Sequence, residues 1–166
     1  MSEPLPSYQS SGLSPGLSIR RAVAGDAARV RALTRQAYAK WVPVIGREPL
    51  PMAADYDQAV REHIVDLLLV ASEPAGLIEM SDEGDHLLIE NVAIAPAFQR
   101  RGYGGLLVTH AEEVARSLRL PTLRLYTNAR FAGNVDFYRR HGYAVDREEP
   151  FKGGVTVYMS KTTDAV

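Results

Sequence analysis

Glu90 to Gly105 reads Glu-Asn-Val-Ala-Ile-Ala-Pro-Ala-Phe-Gln-Arg-Arg-Gly-Tyr-Gly-Gly, and the fold is decided by how this stretch is understood. His86 to Ala95 is rich in Leu, Ile and Val and predicts a buried strand. Pro96 removes a backbone donor and ends the pairing. Gln99 to Gly105 then packs three glycines and two arginines into one turn. From Tyr103 onward apolar residues recur at helical spacing, at Leu106, Leu107, His110, Ala111, Val114, Ala115 and Leu118. The order is strand, glycine-rich turn, helix. The first turn of such a helix carries N–H groups without intrahelical partners and a dipole that favours negative charge, so it can cradle phosphate. Arg100 and Arg101 add charge-assisted donors. Glycines there also serve close packing of helix on strand, and both uses remain open at this point.

Working outward, Leu17 to Val23 predicts a short strand. Gly25-Asp26 offers a cap for a helix whose apolar face is Ala27, Val30, Leu33, Ala37 and Trp41. Pro43, Gly46, Pro49 and Pro51 mark a long connection, and Asp55 to about Ile64 a second helix. Asp66–Ala71 and Gly76–Met80 read as strands joined around Pro74, with a turn at Ser81–Asp85. Beyond the central helix come a strand at Pro121–Thr127, a short helix at Asn134–His141 stopped by Gly142, and strands at Tyr143–Arg147 and Val155–Ser160. About seven strands and four helices predict a mixed α/β sheet. Residues 1–16, rich in Ser, Pro and Gly, read as a disordered tail ahead of a single domain at 17–162.

Spacing sorts the phosphate loops. A dinucleotide fingerprint needs glycine at its sixth position, where Leu107 stands, and a P-loop needs a Gly-Lys-Ser/Thr ending, which the stretch lacks. Gln-x-x-Gly-x-Gly (Gln99, Gly102, Gly104) after Val92-Ala93-Ile94-x-Pro96 instead resembles the pyrophosphate loop of the GNAT superfamily of acetyl-CoA-dependent N-acetyltransferases. Asn134-x-x-Phe-Tyr138-x-x-x-Gly-Tyr143 resembles that family's second signature. Ile45-Gly-Arg47 through Pro51-Met52 and Asp55-Tyr56 resembles a block of some compact members, with no substrate attached to it. The likeness runs from about Leu17 to Lys161, and it implies a mixed, mostly antiparallel sheet with a splayed central strand.

The resemblance also implies acetyl-CoA as co-substrate and no metal. It implies cofactor binding by Gln99, Arg100, Arg101, Gly102, Tyr103, Gly104, Gly105 and Asn134, with the backbone of Val92 and Ile94 along pantetheine. A backbone N–H at Val92 or Ala93 would polarise the thioester carbonyl. Tyr138 would protonate the departing thiolate, or else serve as a core aromatic beside Phe137.

Glu90 is the candidate general base, because a carboxylate inside an apolar strand needs a partner or a cleft. A salt bridge at a strand edge is the other use for it. Alternation in steps of two puts Glu90, Val92 and Ile94 on one face and Ile89, Asn91 and Ala93 on the other. Tyr38, Trp41, Asp55, Tyr56 and Asp57 form a candidate substrate wall. The four histidines lack metal-ligand spacing.

The net charge is −1, yet residues 48–97 hold eleven acidic residues against Arg61 alone, a balance of −10, and residues 98–147 hold nine arginines against four acids. That asymmetry suits a polyanionic cofactor beside a cationic acceptor amine. No cysteine is present, which excludes a cysteine nucleophile and disulfides. With no basic run interleaved with aromatics, no long apolar run and no signal-peptide pattern, the expectation is a cytoplasmic protein without nucleic-acid or membrane partners, and a homodimer is one possibility. The expected activity is acetyl transfer to a small, cationic primary amine inside a ternary complex. Acetylation of protein N-termini or lysines is a second reading, and a non-catalytic acyl-CoA-binding module a third.

Overall fold

The structure, a computed structural model, describes residues 13–163. Seven strands, β1 (Leu17–Arg21), β2 (Ile64–Val70), β3 (Glu73–Asp82), β4 (Leu87–Ile94), β5 (Thr122–Asn128), β6 (Ala144–Phe151) and β7 (Gly154–Thr162), form one sheet in the order β1-β2-β3-β4-β5-β7-β6. The helices are α1 (Ala27–Tyr38), a single turn α2 (Val42–Ile45), α3 (Tyr56–Glu62), α4 (Tyr103–Ser117) and α5 (Asn134–Arg140). Neighbouring strands run antiparallel except β4 and β5, which are parallel. This is the mixed, mostly antiparallel α/β sheet that the sequence predicts.

The sheet separates two apolar cores. On one side Leu107, Val108, Ala111 and Val114 of α4, with Tyr138 of α5, pack on Ile78, Met80, Leu87, Ile89, Leu123 and Leu125. On the other, Val30, Leu33 and Ala37 of α1, with Tyr56 and Ala59 of α3, pack on Val65, Leu67, Leu77 and Ala93. The helical spacing of the apolar residues accounts for both faces, although Leu118, read as part of the α4 stripe, is exposed at the helix end. Residues 1–12 of the expected tail lie outside the described residues. Leu13 packs against the larger core, and the Ser14 carbonyl accepts from Leu17 N–H.

Several boundaries differ from the sequence reading for local reasons. β1 stops at Arg21, and the Asp26 carboxylate does not cap α1. Instead it takes two hydrogen bonds from Arg20, at 2.8 and 3.0 Å, and one from Val23 N–H at 2.9 Å. The β2–β3 turn is Ala71–Ser72, both at positive φ, and Pro74 lies inside β3 opposite Leu69, beside a register shift. β3 continues through Ser81 and Asp82, where a turn was expected.

The difference that matters most lies in β4. Glu79 pairs with Asn91 and Met80 with Ile89, so Glu90 is an inserted residue, a β-bulge. Alternation is therefore not uniform along the strand. Ile89, Val92 and Ile94 pack on the α4 side, while Asn91 and Ala93 face α1 and α3. Glu90 does not share a face with Val92 and Ile94, as strict period two would have it.

Asp66 ties β1, β2 and α4 together: it accepts from Arg21 Nε at 2.6 Å and lies 2.7 Å from His110 Nε2. Burial alone would raise this carboxyl, but the bonds from His110 and Arg21 outweigh it and hold the group below the ordinary carboxylate range. A lowered folded-state value contributes stability that is present above the unfolded value, near ~3.9, and is lost as pH falls through the folded one. Asp66→Asn should therefore cost about 3–5 kcal/mol at neutral pH, as expected for a broken buried pair. Denaturant unfolding at stepped pH checks this, with the gap to wild type narrowing below about pH 4.

Candidate active site

β4 and β5 pair only at Leu87–Leu123, Leu88–Arg124 and Ile89–Leu125. Past the bulge the strands part, and Glu90–Ile94 and Tyr126–Asn128 become the two walls of a wedge. Backbone groups facing the wedge have no ladder partner and must be satisfied otherwise. The Val92 carbonyl accepts from the Tyr38 hydroxyl at 3.4 Å, and the Ile94 carbonyl from Gln99 Nε2 at 3.0 Å. Ala95 N–H, by contrast, bonds Ala75 toward β3. Because a strand residue's N–H and C=O point to the same side, Val92 and Ile94 present their N–H groups to the wedge, whereas those of Ala93 face β3.

Two cavities open from the wedge. A larger one, of about 730 Å³, runs along β4, the turn after it and the N-terminus of α4. Val92, Ala93, Ile94, Gln99, Arg100, Gly102, Tyr103, Gly104, Gly105 and Asn134, for which the family resemblance implies cofactor binding, line it. Gly102, at φ 81°, starts α4, which leaves its leading amides without helical acceptors. Arg100 is held at φ 65° beside it. Gly105 also serves packing, since a Cβ there would lie 3.1 Å from His141 Nε2. Arg101 is not on the wall and instead stacks on Phe98 at 5.6 Å. Gln99 acts as a brace, donating to Ile94 and accepting from Lys40 at 3.3 Å. Lys40, Arg140 and His141 add cationic or polar groups that sequence spacing did not single out.

The smaller cavity, of about 100 Å³, lies under the Ile45–Pro51 connection and Phe151. Glu90, Asn91, Val92, Tyr126, Thr127, Asn128, Asn134 and Tyr138 line its floor and sides. The two cavities meet at Tyr38, Val92, Asn134 and Tyr138. Asn134 is the first residue of α5, whose N-cap is Gly133, and its amide donates to Thr127 Oγ1 at 3.3 Å. Tyr138 is buried, which pushes its phenol up to about 12. It therefore holds its proton at neutral pH. Burial, with several neighbouring hydroxyls and Glu79, also raises Tyr38.

Glu90 accepts from Ser81 Oγ at 3.1 Å and from the Tyr126 hydroxyl at 3.4 Å. Tyr126 is pushed up to about 12 by burial first and by Glu90's charge next. Glu79, buried one strand over, contacts His63 Nδ1 at 2.7 Å. Burial raises its carboxyl, the His63 hydrogen bond opposes this, and Glu90's charge adds to the rise. A small adjoining recess brings Glu79, Glu90, Asn91, Tyr56 and Tyr126 together.

The expected substrate wall divides. Tyr38 stands at the junction. Trp41 lines the larger cavity, stacked on Phe131 at 4.9 Å. Tyr56 is core, donating to the Pro51 carbonyl. Asp55 and Asp57 are exposed, line none of the three cavities, and Asp55 caps α3 by accepting from Gln58 N–H. Among the described residues no cluster of three or more His, Asp or Glu is placed to hold a metal ion, and no helix is long and apolar enough to cross a membrane.

The fold recurs in solved structures at low identity. PaiA N-acetyltransferase of Thermoplasma acidophilum, in complex with coenzyme A, is 15% identical with a TM-score of 0.75, over 90% of this chain and 99% of its own. The ribosomal-protein-S18-alanine N-acetyltransferase of Escherichia coli is 17% identical at TM-score 0.74, over 90% and 96%. A GNAT family acetyltransferase of Elizabethkingia anophelis with acetyl-CoA bound is 16% identical at TM-score 0.69, over 90% and 99%. No curated protein matches the sequence. The model of the acetyltransferase (GNAT) family matches residues 30–143, more than half of the chain. The protein is therefore a member of the GNAT acetyltransferase family, an acyltransferase.

Proposed function

We propose that this enzyme transfers the acetyl group directly to the primary amine of a small acceptor, with both substrates bound at once. The observation that carries the reading is the meeting of a long groove and a small, partly covered cavity at Val92, Asn134 and Tyr138. The Ile45–Pro51 connection over the small cavity favours a compact acceptor over a polypeptide, which needs an open groove.

The groove fits acetyl-CoA by its chemistry. Unpartnered amides at the start of α4, with Arg100 and Arg140 nearby, suit a pyrophosphate. The Val92 and Ile94 N–H groups suit an extended amide chain. Bound there, acetyl-CoA supplies an activated acyl group and a thiolate leaving group. Val92 N–H is then the donor toward the carbonyl oxygen as negative charge develops on it. Tyr138, protonated at neutral pH, delivers the proton that the departing sulfur takes up.

On the acceptor side, an alkylamine with a pKa near ~10.4 is neutral in only about one molecule in a thousand at pH 7. Glu90, at the bulge and held by Ser81 and Tyr126, is the base that removes its proton, with Glu79 beside it. The acidic character that attracts the amine thus narrows to Glu90 and Glu79.

Acetyl-CoA turnover, followed by thiol release against a panel of amines, amino acids, polyamines and N-terminal peptides, tests the reading. A compact amine should be consumed, and a preference for peptides would refute the small-acceptor assignment. Tyr138→Phe keeps the ring packing and should lower kcat on the order of a hundredfold with little change in coenzyme A affinity. At Gly104 an added Cβ would sit 3.4 Å from Phe137, an ordinary contact, so Gly104→Val should fold. Its branches would cover the amides of α4, and calorimetry should show coenzyme A binding weakened about tenfold or more.

A further inference from the structure

Among the described residues Arg47 is the one arginine on the wall of the small cavity, and several arginines elsewhere in the N-terminal half are paired. Arg20 pairs with Asp26, Arg21 with Asp66 and Arg35 with Glu48. Glu48 is the neighbour of Arg47, and Arg35 holds it through contacts at 2.8 and 3.5 Å. Arg47 is left with no carboxylate among the described residues. Its guanidinium lies 5.6 Å from the centre of the Phe151 ring, on the wall of the small cavity. Nη1 donates to the Glu48 carbonyl at 3.3 Å, while Nε is buried without any hydrogen-bond partner. Leaving such a donor unsatisfied is costly, and the cost is relieved when a ligand brings an acceptor.

We propose that Arg47 is the binding site for a carboxylate carried by the acceptor, so that the acceptor is amino-acid-like, with its amine toward Glu90 and its carboxylate toward Arg47. This rests on the small cavity being the acceptor site. A guanidinium fork matches the two oxygens of a carboxylate, and the Phe151 ring lies 5.6 Å from it. Glu90 and Arg47 line the same cavity, so the site offers an anion to the amine and a cation to the acid. A purely cationic acceptor would leave Arg47 unpaired and add repulsion. Of the eleven acidic residues at 48–97 only Glu90 lines this cavity, while Asp55 caps α3 and Glu48 is held by Arg35.

The test sets free α-amino acids against their amides, their decarboxylated amines and aminoalkyl phosphates, in wild type, Arg47→Gln and Arg47→Lys. Wild type should favour the acid over its decarboxylated amine by about 30-fold in kcat/KM, mostly through KM. In Arg47→Gln that ratio should collapse toward unity, and Arg47→Lys, which keeps the charge without the fork, should restore part of it. Calorimetry of the same amino acids into protein saturated with coenzyme A gives a readout independent of turnover. Carboxylate-dependent binding that Arg47→Gln abolishes, in a protein that acetylates no amine, would sustain this site while refuting the amine-transfer reading. Equal turnover of acids and decarboxylated amines would overturn it while leaving amine transfer intact. Preference for the phosphates, or for peptides whose carboxylate is remote, would overturn it as well.

Discussion

A parallel pair of strands that bonds for three residues and then separates creates two rows of backbone groups with no sheet to satisfy them. Everything at the site answers that constraint. Glu90 bulges out of the β3–β4 ladder where the separation begins. Tyr38 and Gln99 reach in from α1 and from the turn after β4 to cover two carbonyls. What stays open are the N–H groups of Val92 and Ile94, the natural donors for a substrate that lies along the strand as an extra partner. Tyr138 and Asn134, from α5, fill the wedge from the far side and separate the groove from the partly covered cavity.

Many charges of the N-terminal half are settled by pairing inside the fold. Asp66 is consumed by Arg21 and His110, Asp26 by Arg20, and Glu48 by Arg35. These pairs tie β1 to β2 and to the start of α1, β2 to α4, and α1 to the connection after α2. On the acceptor side stand Glu90 and Arg47, on the wall of one cavity, and Glu79, beside Glu90 and held by His63. On the proposed function their positions set the acceptor's chemistry more than the overall charge of the segment does.

How much of this was legible follows from the range of the interactions involved. The strand, the Gln99–Gly105 turn and α4 depend on residues close in sequence, and so do Asn134 and Tyr138 one helical turn apart. Their spacing carries the family likeness. The bulge at Glu90 left no mark, because an inserted residue is invisible in an alternating pattern until the partner strand is known. Asp55 and Asp57 counted toward an acidic wall only while their helix was unplaced; one of them is spent as its cap. Glu79 and Tyr126 were passed over because strand pairing, not sequence proximity, brings them beside Glu90. Arg47 was legible as part of a block without a role. Only the fold shows Glu48 drawn away by Arg35 and Phe151 returned beside the guanidinium.

The central claim is that the groove and the partly covered cavity are filled together and the acetyl group passes straight across the junction at Tyr138. Initial rates measured while acetyl-CoA and the acceptor are both varied test it most directly. The account predicts reciprocal plots that intersect, and protein that stays unmodified by mass spectrometry after incubation with acetyl-CoA alone. Parallel plots, with an acetylated enzyme that passes its group to the acceptor on later addition, would contradict it.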